Sequence, residues 1–152
     1  MTPSVSRRLL ALAAAAAPVL AAAAPPRPVV DLQCVSLGGA GHRLECTVRL
    51  ARPDGRPLAD AGVTLSATMP SMPMAHRVRP AVAAATGAPG EYRGRIELEM
   101  AGAWAVEVDV AGPVRERVAR TLRIEACDGD RRCPAEPVSP TRPAAAAASH
   151  PH

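Results

Sequence analysis

The chain has 152 residues; its 18 basic residues are all arginine, set against 14 acidic ones, and one Trp and one Tyr are its only aromatic rings apart from four histidines. That length allows one compact domain with tails, not two. The absence of lysine excludes a Schiff-base enzyme and a Walker-type phosphate loop, and two aromatic side chains are too few for the stacking platforms of single-strand nucleic-acid binders.

Residues 1–24 read as an export signal. Arg7 and Arg8 form a positive start, and Leu9 to Ala24 is an alanine-rich apolar run whose small residues offer a cleavage site after Ala23. The run of 16 residues falls short of the ~20 needed to span a membrane, and Pro18 interrupts it. The expected location is periplasmic or secreted, with membrane attachment only if the leader is retained. Without the leader, 16 arginines face 14 acids, a formal +2. That balance is too near neutral to imply nucleic acid as a partner.

Residues 25–126 read as a β domain. Leu44, Cys46, Val48 and Leu50 alternate with Arg43, Glu45, Thr47 and Arg49, which places one set on a core and the other in water. Val63 to Met69, Tyr92 to Met100 and Trp104 to Val110 repeat the period, and a last strand runs near Val118 to Ile124. Glycine and proline turn signals separate these runs. Six to eight short strands predict an all-β fold, an immunoglobulin-like antiparallel β-sandwich, with a small barrel as the alternative. Residues 127–152 read as a cysteine loop and a disordered tail rich in Pro and Ala, which begins at Pro134 and carries His150 and His152.

The four cysteines read as two local staples. Cys34 and Cys46 are equidistant from Ala40, the centre of a glycine-rich turn, so a hairpin folded there sets them opposite one another, within bridging distance. Cys127 and Cys133 flank the turn sequence Asp128-Gly129-Asp130 and could close a second loop. Their C-x5-C spacing is not that of dithiol oxidoreductases, and an oxidising compartment removes the thiolates a zinc site would need.

One octapeptide carries chemistry: Met69-Pro70-Ser71-Met72-Pro73-Met74-Ala75-His76. Read as an extended chain stiffened by its prolines, it points Met72, Met74 and His76 to one side, with Met69 at the end of the preceding strand. Thioether sulfur is soft and carries no proton, so this set suits copper, Cu(I) above all, and suits hard cations poorly. Thioethers also survive where exposed thiols become disulfides. The competing reading is a Pro-Met loop that caps the core, and Met69, in register with Val63 and Leu65, fits that role best. Met100, in register with Ile96 and Leu98, reads as core.

The Met-Pro-x-Met loop, followed by Gly90-Glu91-Tyr92 and then Gly102-Ala103-Trp104-Ala105-Val106, resembles the YtkA-like family and its relative FixH over about residues 29–125. The resemblance implies an exported β-sandwich and, by association, a link to copper handling and the assembly of haem–copper oxidases. The family's Met loop falls on Met69, Met72, Met74 and His76; Tyr92, Gly102 and Trp104 carry over as framework. FixH-like members keep an N-terminal membrane helix, where this chain has its short leader.

The expected function is therefore that of an exported copper-binding protein, a Cu(I) chaperone or buffer that exchanges metal with a donor or acceptor protein of the envelope. The alternative is a metal-free immunoglobulin-like module that grips a partner by a strand edge or by the Pro-Met loop. No nucleophile, base and orienting group stand at a suggestive spacing, so enzyme activity is not expected.

Overall fold

The computed structural model describes residues 26–38, 41–128 and 131–138; the leader and the tail from residue 139, with His150 and His152, lie outside them. Nine strands form one antiparallel sheet folded over on itself. They are β1 (Val29–Leu37), β2 (His42–Ala51), β3 (Gly62–Thr68), β4 (Arg77–Ala85), β5 (Glu91–Leu98), β6 (Gly102–Ala111), β7 (Glu116–Ile124), β8 (Arg132–Pro134) and β9 (Glu136–Pro137). Their spatial order is β8-β1-β2-β5-β4-β3-β6-β7-β9. The domain is all-β, an antiparallel sandwich whose two halves share β4.

Alternation places the core as expected. Leu44, Val48, Leu50, Val63, Leu65, Val106, Val108 and Ile124 are buried between the two halves, around a fully buried Trp104. The outer face of β2 and β5 carries a charge ladder in which Arg43 lies opposite Glu97, Glu45 opposite Arg95 and Arg49 opposite Glu91. Opposite charges on facing strands support the pairing. Gly94 allows a close approach between the halves: a Cβ there would stand 2.7 Å from the Leu65 side chain and 3.1 Å from Ala83.

Both cysteine pairs form disulfides, Cys34–Cys46 and Cys127–Cys133. In the β1–β2 hairpin Cys34 is the direct register partner of Cys46, and both are buried.

Three features depart from the sequence reading. The first is β4, a strand that alternation does not reveal. Leu65 faces Ala81 while Ala67 faces Val78, so Arg79 and Pro80 together oppose Ser66 in a bulge. The bulge accommodates a proline that cannot donate to the ladder and breaks the period-two pattern. Beyond it the strand turns the corner, and Ala84 and Ala85 pair with β5.

The second is Glu45, assigned to the solvent face but in fact buried. Arg95 lays its guanidinium on the carboxylate, at 2.9 Å from Nε and 2.7 Å from Nη2, and Arg132 reaches it at 3.2 Å. Long arginine stems cover the group while their heads neutralise it. The hydrogen bond from Arg95, aided by the positive charge of Arg95, Arg132 and Arg93, holds the Glu45 carboxyl below the ordinary carboxylate value against the opposing effect of burial.

The third is the segment after Ala126. The disordered tail was expected from Pro134, yet residues 131–138 form a strap. β8 pairs with β1, and β9 pairs with β7 on the opposite half. Ala135 N–H donates to the Cys34 carbonyl at 3.0 Å and Val138 N–H to the Thr121 carbonyl at 2.8 Å. The strap lies across the two outer strands, and the Cys127–Cys133 bridge ties its start to the end of β7. Proline is tolerated here because these are edge strands that need few donors.

Candidate metal centre

Residues 69–76 connect β3 to β4 and meet the β5–β6 turn, Glu99 to Ala101, at one end of the sandwich. The loop is folded rather than extended. Met72 N–H donates to the Met69 carbonyl at 3.0 Å, and Ala75 N–H donates to the Met72 carbonyl at 3.2 Å. These are two successive four-residue turns, Met69 to Met72 and Met72 to Ala75, each with proline in second place. Proline favours that place because its fixed φ matches the turn. His76 N–H also reaches the Met72 carbonyl, and Met69 N–H donates to the His76 carbonyl, both at 3.2 Å, which closes the loop at its base.

The turns sort the candidate residues by depth. Met69, counted among the candidate ligands, is only 4% exposed and belongs to the core. Its terminal methyl lies 3.2 Å from where a Cβ on Gly102 would stand. Gly102 has φ 142°, a backbone conformation that suits glycine alone. Met72 is 43% and Met74 96% exposed. Met100 was assigned to the core but is 40% exposed, because β5 ends at Leu98 and strand alternation no longer governs the turn. It is the candidate donor that the sequence reading left out; a methionine one residue past a glutamate at a strand end was the available signal.

His76 is positioned from two sides. Its Nδ1 pairs with the Glu99 carboxylate. Its ring stands edge-on to Trp104, with centroids 6.4 Å apart and planes at 72°. Trp104 is held in turn by its indole N–H, which donates to the Met100 carbonyl at 3.1 Å. A carboxylate accepts only, so the shared proton belongs to Nδ1, and in the neutral ring Nε2 keeps its lone pair. Histidines that ligate metals are commonly set this way, with the far nitrogen held by a carboxylate.

Among the described residues no group of three or more His, Cys, Asp or Glu is placed to hold a metal ion. The donors at this end are exposed thioethers and one imidazole, which is the chemistry of a soft cation. At the opposite end a hollow of about 410 Å³ is lined mostly by prolines, Leu58 and Val114, with Arg52 and Asp54 among them. It holds neither methionine nor histidine.

The fold and this loop define a disulfide-stapled all-β domain that presents methionine and histidine on a short turn-built connection. Residues 35–109, a stretch that includes the whole Met loop, match the model of the family described as YtkA-like. No curated protein and no solved structure matches the chain.

Proposed function

We propose that the protein binds copper as Cu(I) through Met72, Met74 and His76 and passes it to a partner by ligand exchange. One observation carries the reading. Five large hydrophobic side chains are exposed among the described residues, and three of them are methionines on the two connections that meet beside His76: Met72, Met74 and Met100. Methionine used for packing is buried, as Met69 is; methionine held in water by a turn is available as a ligand. With Nδ1 held by Glu99, Nε2 of the imidazole is the nitrogen left for an incoming ion. Met69 supports the loop from below.

A site on an exposed loop favours exchange, since an acceptor protein can approach from solvent while the ion is still held. The expected role is that of a chaperone or buffer of the cell envelope, serving assembly of haem–copper oxidases, and a binding protein rather than an enzyme. Two disulfides and the leader-like first 24 residues support export, since disulfides persist in oxidising compartments.

The test is a Cu(I) titration of the protein against a chromophoric competitor under reducing conditions that leave the disulfides intact. Retention near one equivalent, lost in the double variant Met72→Leu, Met74→Leu, is the expected result. Failure of the unaltered protein to retain Cu(I) against the competitor would refute the reading.

A further inference from the structure

The folded sheet has two seams, and among the described residues only one is covered. The strap of β8 and β9 pairs with the outer edges of β1 and β7. At the other seam β4 and β5 pair only through Ala84 with Arg93 and Ala85 with Tyr92. Gly94 still packs against Ala83, where a Cβ on the glycine would stand 3.1 Å from the Ala83 side chain, and beyond that position no rung joins the two strands. Arg95 to Leu98 of β5 are paired with β2 alone, and Arg77 to Val82 of β4, apart from the bulge at Arg79 and Pro80, with β3 alone. Among the described residues no strand lies between the facing edges, and none of the turn or loop hydrogen bonds of the backbone falls on these two stretches. A hollow of about 420 Å³ lies between these stretches, with Arg77 to Arg79 on one side and Arg95 to Glu97 on the other, and a second of about 470 Å³ adjoins it over the paired rungs.

The two edges differ. That of β4 is guarded: it has a bulge, a proline without a donor at Pro80, and arginines at 77 and 79. These are devices that discourage strand pairing. The β5 edge from Arg95 to Leu98 has neither proline nor bulge, and alternate N–H and C=O groups along it face the gap. The walls also carry a sign. Arg77, Arg79 and Arg93 line the hollows, and none of them has an ion-pair partner among the described residues. Of the carboxylates there, Glu45 is taken by Arg95 and Arg132, and Glu99 by His76. Glu97 alone is left, so the gap is net positive. Toward the core it is floored by the partly or fully buried Val78, Ala81 and Ile96; on the outside Val82 is 79% exposed.

We propose that this gap receives an extended segment of a partner protein that adds as a strand to the β5 edge, with acidic side chains at alternate positions facing Arg77, Arg79 and Arg93 and small apolar ones facing Val78, Ala81 and Ile96. Main-chain hydrogen bonds supply affinity, and the arginines select the charge. The inference rests on the strand edges and their charge and does not depend on metal binding.

The experiment uses the metal-free protein with its disulfides intact and a fluorescent synthetic peptide alternating Val and Glu. Anisotropy should report binding, and amide exchange should slow in Arg95 to Leu98. Replacing every Glu of the peptide by Lys, or methylating its backbone nitrogens, should abolish binding, and neither change can unfold the protein. The double variant Arg77→Glu, Arg79→Glu, with an unchanged circular dichroism spectrum, should bind about tenfold more weakly. No binding by the Val/Glu peptide, equal binding by the Lys peptide, protection at the Met loop instead of β5, or a dimer of the free protein paired edge to edge would each overturn the proposal. Copper retention by a protein that fails this test would leave the metal reading standing, and the converse holds as well.

Discussion

Sulfur serves opposite purposes in two regions of this molecule. In the β1–β2 hairpin, Cys34 and Cys46 are buried, face each other in register and are joined covalently. In the β3–β4 loop, Met72 and Met74 stand in solvent on paired turns. The hairpin holds a core that has one Trp, one Tyr and no Phe; the loop adds little to that core. Where thiols are drawn into disulfides, the sulfur that stays available is thioether sulfur. The contrast between Met69 and Met74, five residues apart, shows that burial rather than residue type separates a packing methionine from a candidate ligand.

The largest expected effect belongs to the hairpin. Replacing Cys34 and Cys46 together by Ala should lower stability by about 3 kcal/mol, the entropy of the short loop they close. Chemical denaturation measures the loss, and Cu(I) affinity measured below the transition should be unchanged. A copper deficit in that variant would break the separation of the two regions. The Met72→Leu, Met74→Leu variant should do the reverse. Both side chains are exposed, so denaturation should move by no more than about 0.5 kcal/mol, while Cu(I) affinity falls by about 100-fold or more, as expected when soft donors are removed from a soft ion.

A smaller effect is expected at Glu99. Glu99→Gln keeps the shape but weakens the hold on Nδ1 of His76, and Cu(I) affinity should drop by about tenfold, the lower end for loss of such an orienting partner. The competitor titration reads it, and denaturation at neutral pH serves as the control. The smallest effect concerns pH. The Glu45 carboxyl is held below its ordinary value of 4.5, chiefly by the hydrogen bond from Arg95. A depressed carboxyl contributes stability that is present above the unfolded value and lost as pH falls through the folded one. Urea denaturation at neutral and acid pH should therefore show a smaller acid loss in Glu45→Gln than in the unaltered protein, since Gln cannot titrate. An equal acid loss in both would place the linkage elsewhere.

Much of this was legible in the chain. The period of two located β2, β3, β5, β6 and β7, and the symmetry of Cys34 and Cys46 about Ala40 anticipated both the hairpin register and its bridge. β4 was hidden because Pro80 and the bulge break alternation, and its alanines give no contrast between faces. The strap was hidden because its strands are two and three residues long and proline-rich; only their partners make them strands. Glu45 misled because a charged residue on an outer face reads as solvated until arginines from β5 and β8 are seen to cover it. At the candidate site the residue types were readable but their geometry was not. As sequence, Pro70 and Pro73 suggest a stiff extended segment, whereas each holds the second place of a turn, and the two turns decide which methionine is buried.

The most direct measurement is X-ray absorption at the copper edge of the Cu(I)-loaded protein, alongside the Met72→Leu, Met74→Leu variant. The account predicts a first shell of sulfur with one imidazole nitrogen, and loss of the sulfur scattering in the variant. A shell of nitrogen and oxygen alone, or sulfur scattering that persists in the variant, would contradict it.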